Sequence, residues 1–312
     1  MKAPSVGVVF VTHCAKRHLP KCLPPILKSP LSPKVLVMNS SSHDGTVECA
    51  RELGADTFVI PRKEFNHGAS REKARQRLGG CDIVVMMTPD AYAVHCDMLT
   101  HLVSPIASGE ASLSYARQIP HDEAGIFEKI PREFNYPPES HVRSFADREA
   151  YGVYTIFCSN SCAAYLNSAL DEVGGFAPAL IGEDTFTAAK LLRKGHKIAY
   201  AADAVVKHSH TYGLRQEFQR HFDTALARSW NRELFEDLAA DEERGREFFM
   251  YLLKRLAQRS PHLIPYGLIQ TGVKYLGYRL GKISGPAPLW VKKLCSSQDF
   301  YWNQYSRYVT RD

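Results

Sequence analysis

In the first two-thirds of the chain, short apolar runs alternate with stretches of helical period. Val6-Gly-Val-Val-Phe-Val11 is rich in β-branched residues and too short for a helix, so it predicts a buried strand that Thr12 and His13 end. Leu23, Ile26 and Leu27 then recur at helical spacing. Lys34-Val-Leu-Val-Met38 repeats the strand pattern and runs into the polar stretch Asn39-Ser-Ser-Ser-His-Asp-Gly45. A helix is predicted over 46–53, with Gly54 where a C-terminal cap belongs. Residues 57–60 and 82–87 read as the next two strands. These short apolar strands, separated by helices, are the mark of strands covered on both faces. The expected fold is therefore α/β: a Rossmann-like, mostly parallel sheet flanked by helices.

A polar, proline-containing segment over 118–149, carrying His121 and His141, interrupts this rhythm and is expected to be a long functional loop or lid. Order resumes at Gly152-Val-Tyr-Thr-Ile-Phe157. A helix over 185–194 stops at Gly195, and 197–200 and 204–207 read as the last strands. Beyond about Leu214 the pattern is helical, which divides the chain into an α/β domain at 1–214 and a helical region at 215–312. There Phe248, Phe249, Leu252, Leu253 and Leu256 form one stripe, and 264–280 mixes apolar with basic residues. Packing against a core is the ordinary role of such stripes; a peripheral contact with an anionic membrane is the other.

Charge bears on that alternative. The net charge of the 312 residues is +6, yet from Arg244 onward 12 Lys or Arg face 3 Asp or Glu, so the tail is strongly basic and the remainder slightly acidic. The mild overall excess suits an anionic substrate or a membrane surface and does not indicate nucleic acid. A hydrophobic fraction of 45% with 23% charged residues is that of a globular protein, not a disordered one. The eight cysteines include no C-x-x-C pair of a zinc site and read as reduced thiols of a cytoplasmic protein. No segment approaches the ~18 uninterrupted apolar residues of a membrane span, and the first run is too short for a secretory core. The expected location is the cytoplasm, with the inner face of the plasma membrane as a peripheral station.

Ligands of open parallel sheets bind beyond the carboxyl ends of the strands. Here the polar oddities all follow strands: Thr12-His13, residues 39–44, Thr88-Pro89-Asp90 and His208-Ser209-His210. Four such loops could converge on one cleft. Asp90 is placed to hold a hard cation between two phosphates, although a turn or cap aspartate is the plainer reading. Asp184, next to Glu183, precedes a helix; it is either an N-cap or a carboxylate kept ionised by the helix dipole, as a general base must be. His208 and His210 face opposite ways if extended, so only one would reach an ion. Arg71, in Asn66-His-Gly-Ala-Ser-Arg71, offers a guanidinium to a leaving diphosphate. The P-loop and G-x-G-x-x-G patterns are absent, so ATP hydrolysis and hydride transfer lose support.

Taken in order, these segments resemble family 2 glycosyltransferases of the GT-A fold over about residues 5–212. Val9-Phe-Val-Thr12 resembles the family's first-strand entry, and Asn39-Ser-Ser-Ser-His-Asp-Gly-Thr46 its "D-N-x-S-x-D-G-T" loop. Asn66-His-Gly-Ala-Ser-Arg71 is similar to its "N-x-G-x-x-x-R" region, with Arg71 one residue early. Gly174-Gly-Phe176, Glu183-Asp184 and Ala204-Val-Val-Lys-His208 resemble its acceptor-side and catalytic half.

The resemblance implies an inverting transfer of a sugar from a nucleoside-diphosphate donor to a hydroxyl of a saccharide or lipid-linked saccharide, with Asp184 as the base. It implies Thr12, Asn39, Arg71 and Asp90 at the nucleotide, Gly175, Phe176 and Glu183 on the acceptor side, and Mg²⁺ or Mn²⁺ on Asp90 and His208. Two departures stand out. Thr88 replaces the first aspartate of D-x-D, and Asn39 replaces the base-reading aspartate, although an amide oxygen can still accept that hydrogen bond.

Phe65-Asn-His-Gly68 and Thr88-Pro-Asp-Ala91 look most like bacterial rhamnosyltransferases, which implies dTDP-L-rhamnose as donor. A UDP-sugar-dependent transferase and a non-catalytic nucleotide-sugar-binding or scaffold protein of the same fold are the alternatives. A sugar-nucleotide pyrophosphorylase would want a glycine-rich loop that Thr12-His-Cys-Ala-Lys-Arg17 lacks.

Overall fold

A computed structural model describes residues 3–238 and 241–305. Strands β1 (Val6–Thr12), β2 (Lys34–Asn39), β3 (Asp56–Val59) and β4 (Ile83–Met87) are parallel neighbours in the order β3-β2-β1-β4. Residues along these strands alternate between two cores. Val9, Leu36, Met38, Val84 and Met86 face one, and Val8, Phe10, Val35, Val37, Val85 and Met87 the other, so both pleat faces must be apolar. Helices His67–Leu78, Asn167–Glu172 and Glu183–Arg193 pack into the first core, Leu19–Leu27 and Met98–Ala107 into the second. Helix Thr46–Glu52 ends as its sequence suggests. Gly54, at φ +93°, donates to the Arg51 carbonyl and Ala55 to that of Ala50, the paired bonds of a left-handed glycine cap.

The sheet continues through β5 (Tyr92–Ala93), β6 (Leu113–Ile119), β7 (His141–Arg143), β8 (Cys162–Leu166) and β9 (Ile198–Lys207). Here it is mixed: β8 inserts antiparallel between β4 and β6, while β6 and β9 are parallel. β6 and β8 carry no β-branched run, and their place in the sheet comes from packing, which outweighs strand propensity. The two expected last strands are one. Its register on β6 jumps from Ala116↔Ala201 to Arg117↔Val205, so residues between bulge out, and β9 pairs with β7 before the bulge and β5 after it.

The segment 118–149 is not a loop. It holds the end of β6, helix Ile126–Asn135 and β7, because Ile130 packs against Leu252 and Leu256, and fully buried Arg143 donates to the Tyr154 and Phe157 carbonyls. Residues Gly152–Ile156 form a 3₁₀ turn.

After residue 213 the chain is helical. Leu214–Trp230 and Ile264–Ile283 cross closely because a side chain at Gly277 or Gly281 would overlap the Phe218 or Phe222 carbonyl. Within the stripe 248–256, Leu252 and Leu256 take the core role. Helix Asp299–Trp302 returns to the core on the first face of the sheet, and Gln304 donates to the Phe65 carbonyl at 2.9 Å. The end of the basic tail, 306–312, lies outside the described residues.

One junction positions the site. The Asn66 side chain caps helix His67–Leu78 by accepting from the Gly68 and Ala69 amides. The same amide group exchanges hydrogen bonds with the Ala179 backbone N–H and carbonyl, clipping the helix start to the segment that leads to Glu183. The approach is so close that a Cβ at Gly68 would overlap the Ala177 carbonyl oxygen. Gly68→Ala should therefore destabilise the fold by about 1–3 kcal/mol. Gly272→Ala, on an open helical surface, should stabilise it by about 0.4–1 kcal/mol. Thermal unfolding of both variants checks this; equal melting temperatures would contradict it.

Candidate active site

Asp90 lies two residues before β5, and the antiparallel pairing Tyr92↔Lys207 brings it opposite the start of the segment after β9. That register, with β9 ending at Lys207, turns both following histidines onto one carboxylate. His208 Nε2 is 3.6 Å and His210 Nε2 3.5 Å from Asp90 Oδ2, with the two imidazoles 4.6 Å apart in an edge-to-face pair. The expectation that one histidine turns away fails: past the end of β9 at Lys207 both rings face Asp90.

The three ligand atoms lie within 4.8 Å of one another. Burial pushes the Asp90 carboxyl upward, but the hydrogen bond from His208, with help from His210 and Thr88, holds it well below the usual carboxylate range. Burial lowers His208, and burial with the neighbouring His208 lowers His210 to about 4, so both rings are neutral near pH 7. His208 Nδ1 meets Gln118 Oε1 at 2.8 Å, and Arg132 Nε donates to the His208 carbonyl at 2.7 Å. Gln118 fixes the ring with Nε2 toward Asp90; a bound metal would take the Nε2 lone pair in place of that hydrogen bond, with the proton moved to Nδ1 and donated to Gln118. One carboxylate and two neutral imidazoles suit a divalent ion of the Mn²⁺ kind, and the set fits a metal.

The other half of the site lies across Asn160-Ser161, just before β8. The Asn160 backbone N–H donates to Asp184 Oδ2 at 3.1 Å, and its side-chain amide donates to Glu183 Oε1 at 3.1 Å. Ser161 Oγ is 3.4 Å from His208 Nε2, so one dipeptide links the carboxylate pair to the histidines. Asp184 is not an N-cap: the helix begins at Glu183 after Gly182, and Asp184 Oδ1 accepts from its neighbour Thr185. Burial, and then the charge of adjacent Glu183, push Asp184 up to about 6. The helix dipole therefore does not set its pKa, and the group remains mostly ionised at pH 7.

Glu183 is buried, and burial would raise it, but Arg71 at 3.0 Å with nearby His67 holds it below its ordinary value. Thr12, Arg71 and Asp90 line one cleft of about 360 Å³ together with His13, His18 and His67. The Arg71 guanidinium is engaged by Glu183 and the His67 carbonyl. Asn39 is fully buried, and its amide is satisfied by Ser42 and Thr12, so it shapes the 39–44 loop without facing the cleft. Gly175, at φ +69°, and Phe176 sit in the interior: the Phe176 amide donates to Glu72, and its ring packs edge-on against Tyr165. These two residues and Glu183 support the site from behind. Asn160, Ser161, Gln118 and Arg132 went unread in the sequence; the polar Ser-Asn-Ser before an apolar strand was the available signal for the first two.

No family model matches the chain. The O-antigen chain rhamnosyltransferase RfbN of Salmonella typhimurium is 36% identical over 306 residues, covering 96% of this chain and 98% of that protein. The O-antigen chain rhamnosyltransferase WbaN of Salmonella anatum is 37% identical over 276 residues, 88% of each. Among solved structures, a Pyrobaculum calidifontis mannosyltransferase in complex with GDP-Man and Mn²⁺ superposes with a TM-score of 0.60 at 16% identity, covering 99% of this chain and 80% of that one. S. aureus TarS 1–349 with UDP-GlcNAc gives 0.54 at 14% identity, covering 90% and 91%. The distant structures share the GT-A fold, and the whole-length relatives carry the family: the chain belongs to the glycosyltransferases that include the O-antigen chain rhamnosyltransferases.

Proposed function

We propose that this glycosyltransferase moves L-rhamnose from dTDP-L-rhamnose to a hydroxyl of a saccharide or lipid-linked saccharide by an inverting single displacement. The observation that carries the mechanism is the Asn160-Ser161 bridge between an ionised carboxylate and the Asp90-His208-His210 group. Asp184 takes the proton of the acceptor hydroxyl as that hydroxyl's oxygen attacks the anomeric carbon, and the bond from that carbon to the diphosphate oxygen breaks on the opposite face. Its pKa of about 6 keeps it ionised at neutral pH yet basic enough to help. The Asn160 and Thr185 amides hold that carboxylate in place, Arg71 neutralises Glu183 beside it, and Thr12 and Asp90 face the nucleotide side of the cleft. Mg²⁺ or Mn²⁺ held by Asp90, His208 and His210 would offset charge building on the leaving diphosphate. The catalytic unit in this reading is residues 1–214. The helical region, 215–312, makes a peripheral membrane contact at the cytoplasmic face and so brings the catalytic unit to a lipid-linked acceptor.

The whole-length relatives support the rhamnosyl donor by name. Nucleotide-sugars tested for metal-dependent thermal stabilisation separate the readings: dTDP-L-rhamnose should stabilise most, whereas a UDP-sugar outperforming it would overturn the donor assignment.

Asp184→Asn should lower transfer by about 10²–10⁴-fold while leaving donor binding intact. In the unaltered enzyme kcat/KM should fall below pH about 6, because protonation of this raised carboxylate removes the base. Full turnover by the variant, or a flat profile through that pH, would contradict the assignment. Gln118→Ala, which releases His208 Nδ1, should weaken Mn²⁺ binding about 10–100-fold. Titration calorimetry with Mn²⁺ and dTDP reads it, and unchanged affinity would remove the metal from this group.

A further inference from the structure

Helix Ile264–Ile283 is packed inside out. Its buried side is made of Gly267, against Leu256 and Phe127, and of Gln270, Lys274, Gly277 and Gly281 against Leu214–Trp230, with Gln270 and Lys274 both on Glu217. Its outward side carries Leu268, Ile269, Leu276 and Ile283, between 48% and 68% exposed. On a helical wheel these residues fall within about 100° of one another, opposite the glycine face. The following helix, Leu289–Cys295, repeats the arrangement with Leu289, Trp290 and Leu294 exposed, Trp290 at 69%. Lone exposed apolar residues need no explanation, but two successive helices with apolar outer faces do.

Charge decides what covers them. From 248 to 298 the sequence contains eight Lys or Arg and no Asp or Glu. Arg279 and Lys293 are exposed and lie beside the apolar face, where Lys282 is already paired with Glu242 at 2.9 Å. A second copy of the chain seated there would press these cations together with no carboxylate from the same stretch to offset them. An anionic bilayer offers both hydrocarbon for the leucines and phosphate for the cations, and a tryptophan near the polar boundary suits that interface. No helix among the described residues is long and apolar enough to cross a membrane, so the contact lies in the membrane plane.

We propose that the outer faces of helices Ile264–Ile283 and Leu289–Cys295 form one docking surface for an anionic lipid bilayer. This rests on the peripheral contact proposed above and assigns it a surface, while the chemistry of transfer stands apart from it.

The test is sedimentation of the full chain with vesicles of phosphatidylcholine alone or mixed with phosphatidylglycerol, at low and high salt. Binding is expected to the anionic vesicles, weakening with salt, with a blue shift of Trp290 fluorescence as its ring leaves water. Leu276→Glu with Ile283→Glu should lower partitioning at least about tenfold, since each side chain is transferred from water to hydrocarbon. The doubly substituted chain should melt like the parent and transfer to a soluble acceptor at the parent rate. No binding to anionic vesicles at low salt would overturn the inference. So would unchanged binding by the double variant, or a dimer in sedimentation equilibrium that the same substitutions dissociate. Loss of transfer in the parent, with vesicle binding intact, would instead sink the catalytic reading and leave the docking surface standing.

Discussion

Two adjacent carboxylates, Glu183 and Asp184, enter the interior side by side, and the site is tenable only because Arg71 meets the first of them at 3.0 Å. Without that guanidinium, burial and mutual repulsion would protonate one of the pair. With it, Glu183 stays charged as a structural group, and Asp184 is raised only to about 6. Removing one partner of such a buried pair costs about 3–5 kcal/mol, so the contact is worth more as a constraint than as net attraction. The rest of the junction serves it: Asn66 caps the helix that carries Arg71 and clips it to the Ala179 backbone, while Gly68 permits the approach.

The metal half depends on register. Pairing of β5 with the end of β9 sets Asp90 against His208 and His210, and the parallel pairing of β6 with β9 carries Gln118 to His208. The bulge in β9 lets one strand satisfy two short partners on its outer edge. Asn160-Ser161 then joins the two halves through hydrogen bonds no longer than 3.4 Å, with one backbone amide contributing directly to Asp184.

What the sequence made legible follows from what local chemistry dictates. Strands buried on both faces announce themselves as apolar runs, and Gly54 announces its cap, so β1 to β4 and helix Thr46–Glu52 fall close to where the pattern places them. Strands of mixed composition such as Cys162–Leu166 do not announce themselves, because their neighbours hold them in place. The motif residues Asp90, Asp184, His208 and Arg71 were visible, but direction was not. Whether Asn39 faces the cleft or its own loop, and whether His210 turns toward Asp90 or away, depends on backbone geometry that no spacing encodes. The motif marks Gly175 and Phe176 but not that both lie in the interior, with the Phe176 amide on Glu72. Asn160 and Gln118 act through partners 24 and 90 residues away, which a linear reading does not reach.

Transfer by this mechanism requires Asp184 as the proton acceptor, its basicity raised by burial and then by its charged neighbour Glu183. The most direct measurement is the pH dependence of kcat/KM in Glu183→Gln, an amide of the same shape that lacks the charge raising Asp184. The acidic limb should move to lower pH than in the parent. A limb that stays where it was would mean that another group titrates, and the assignment of the base would fall.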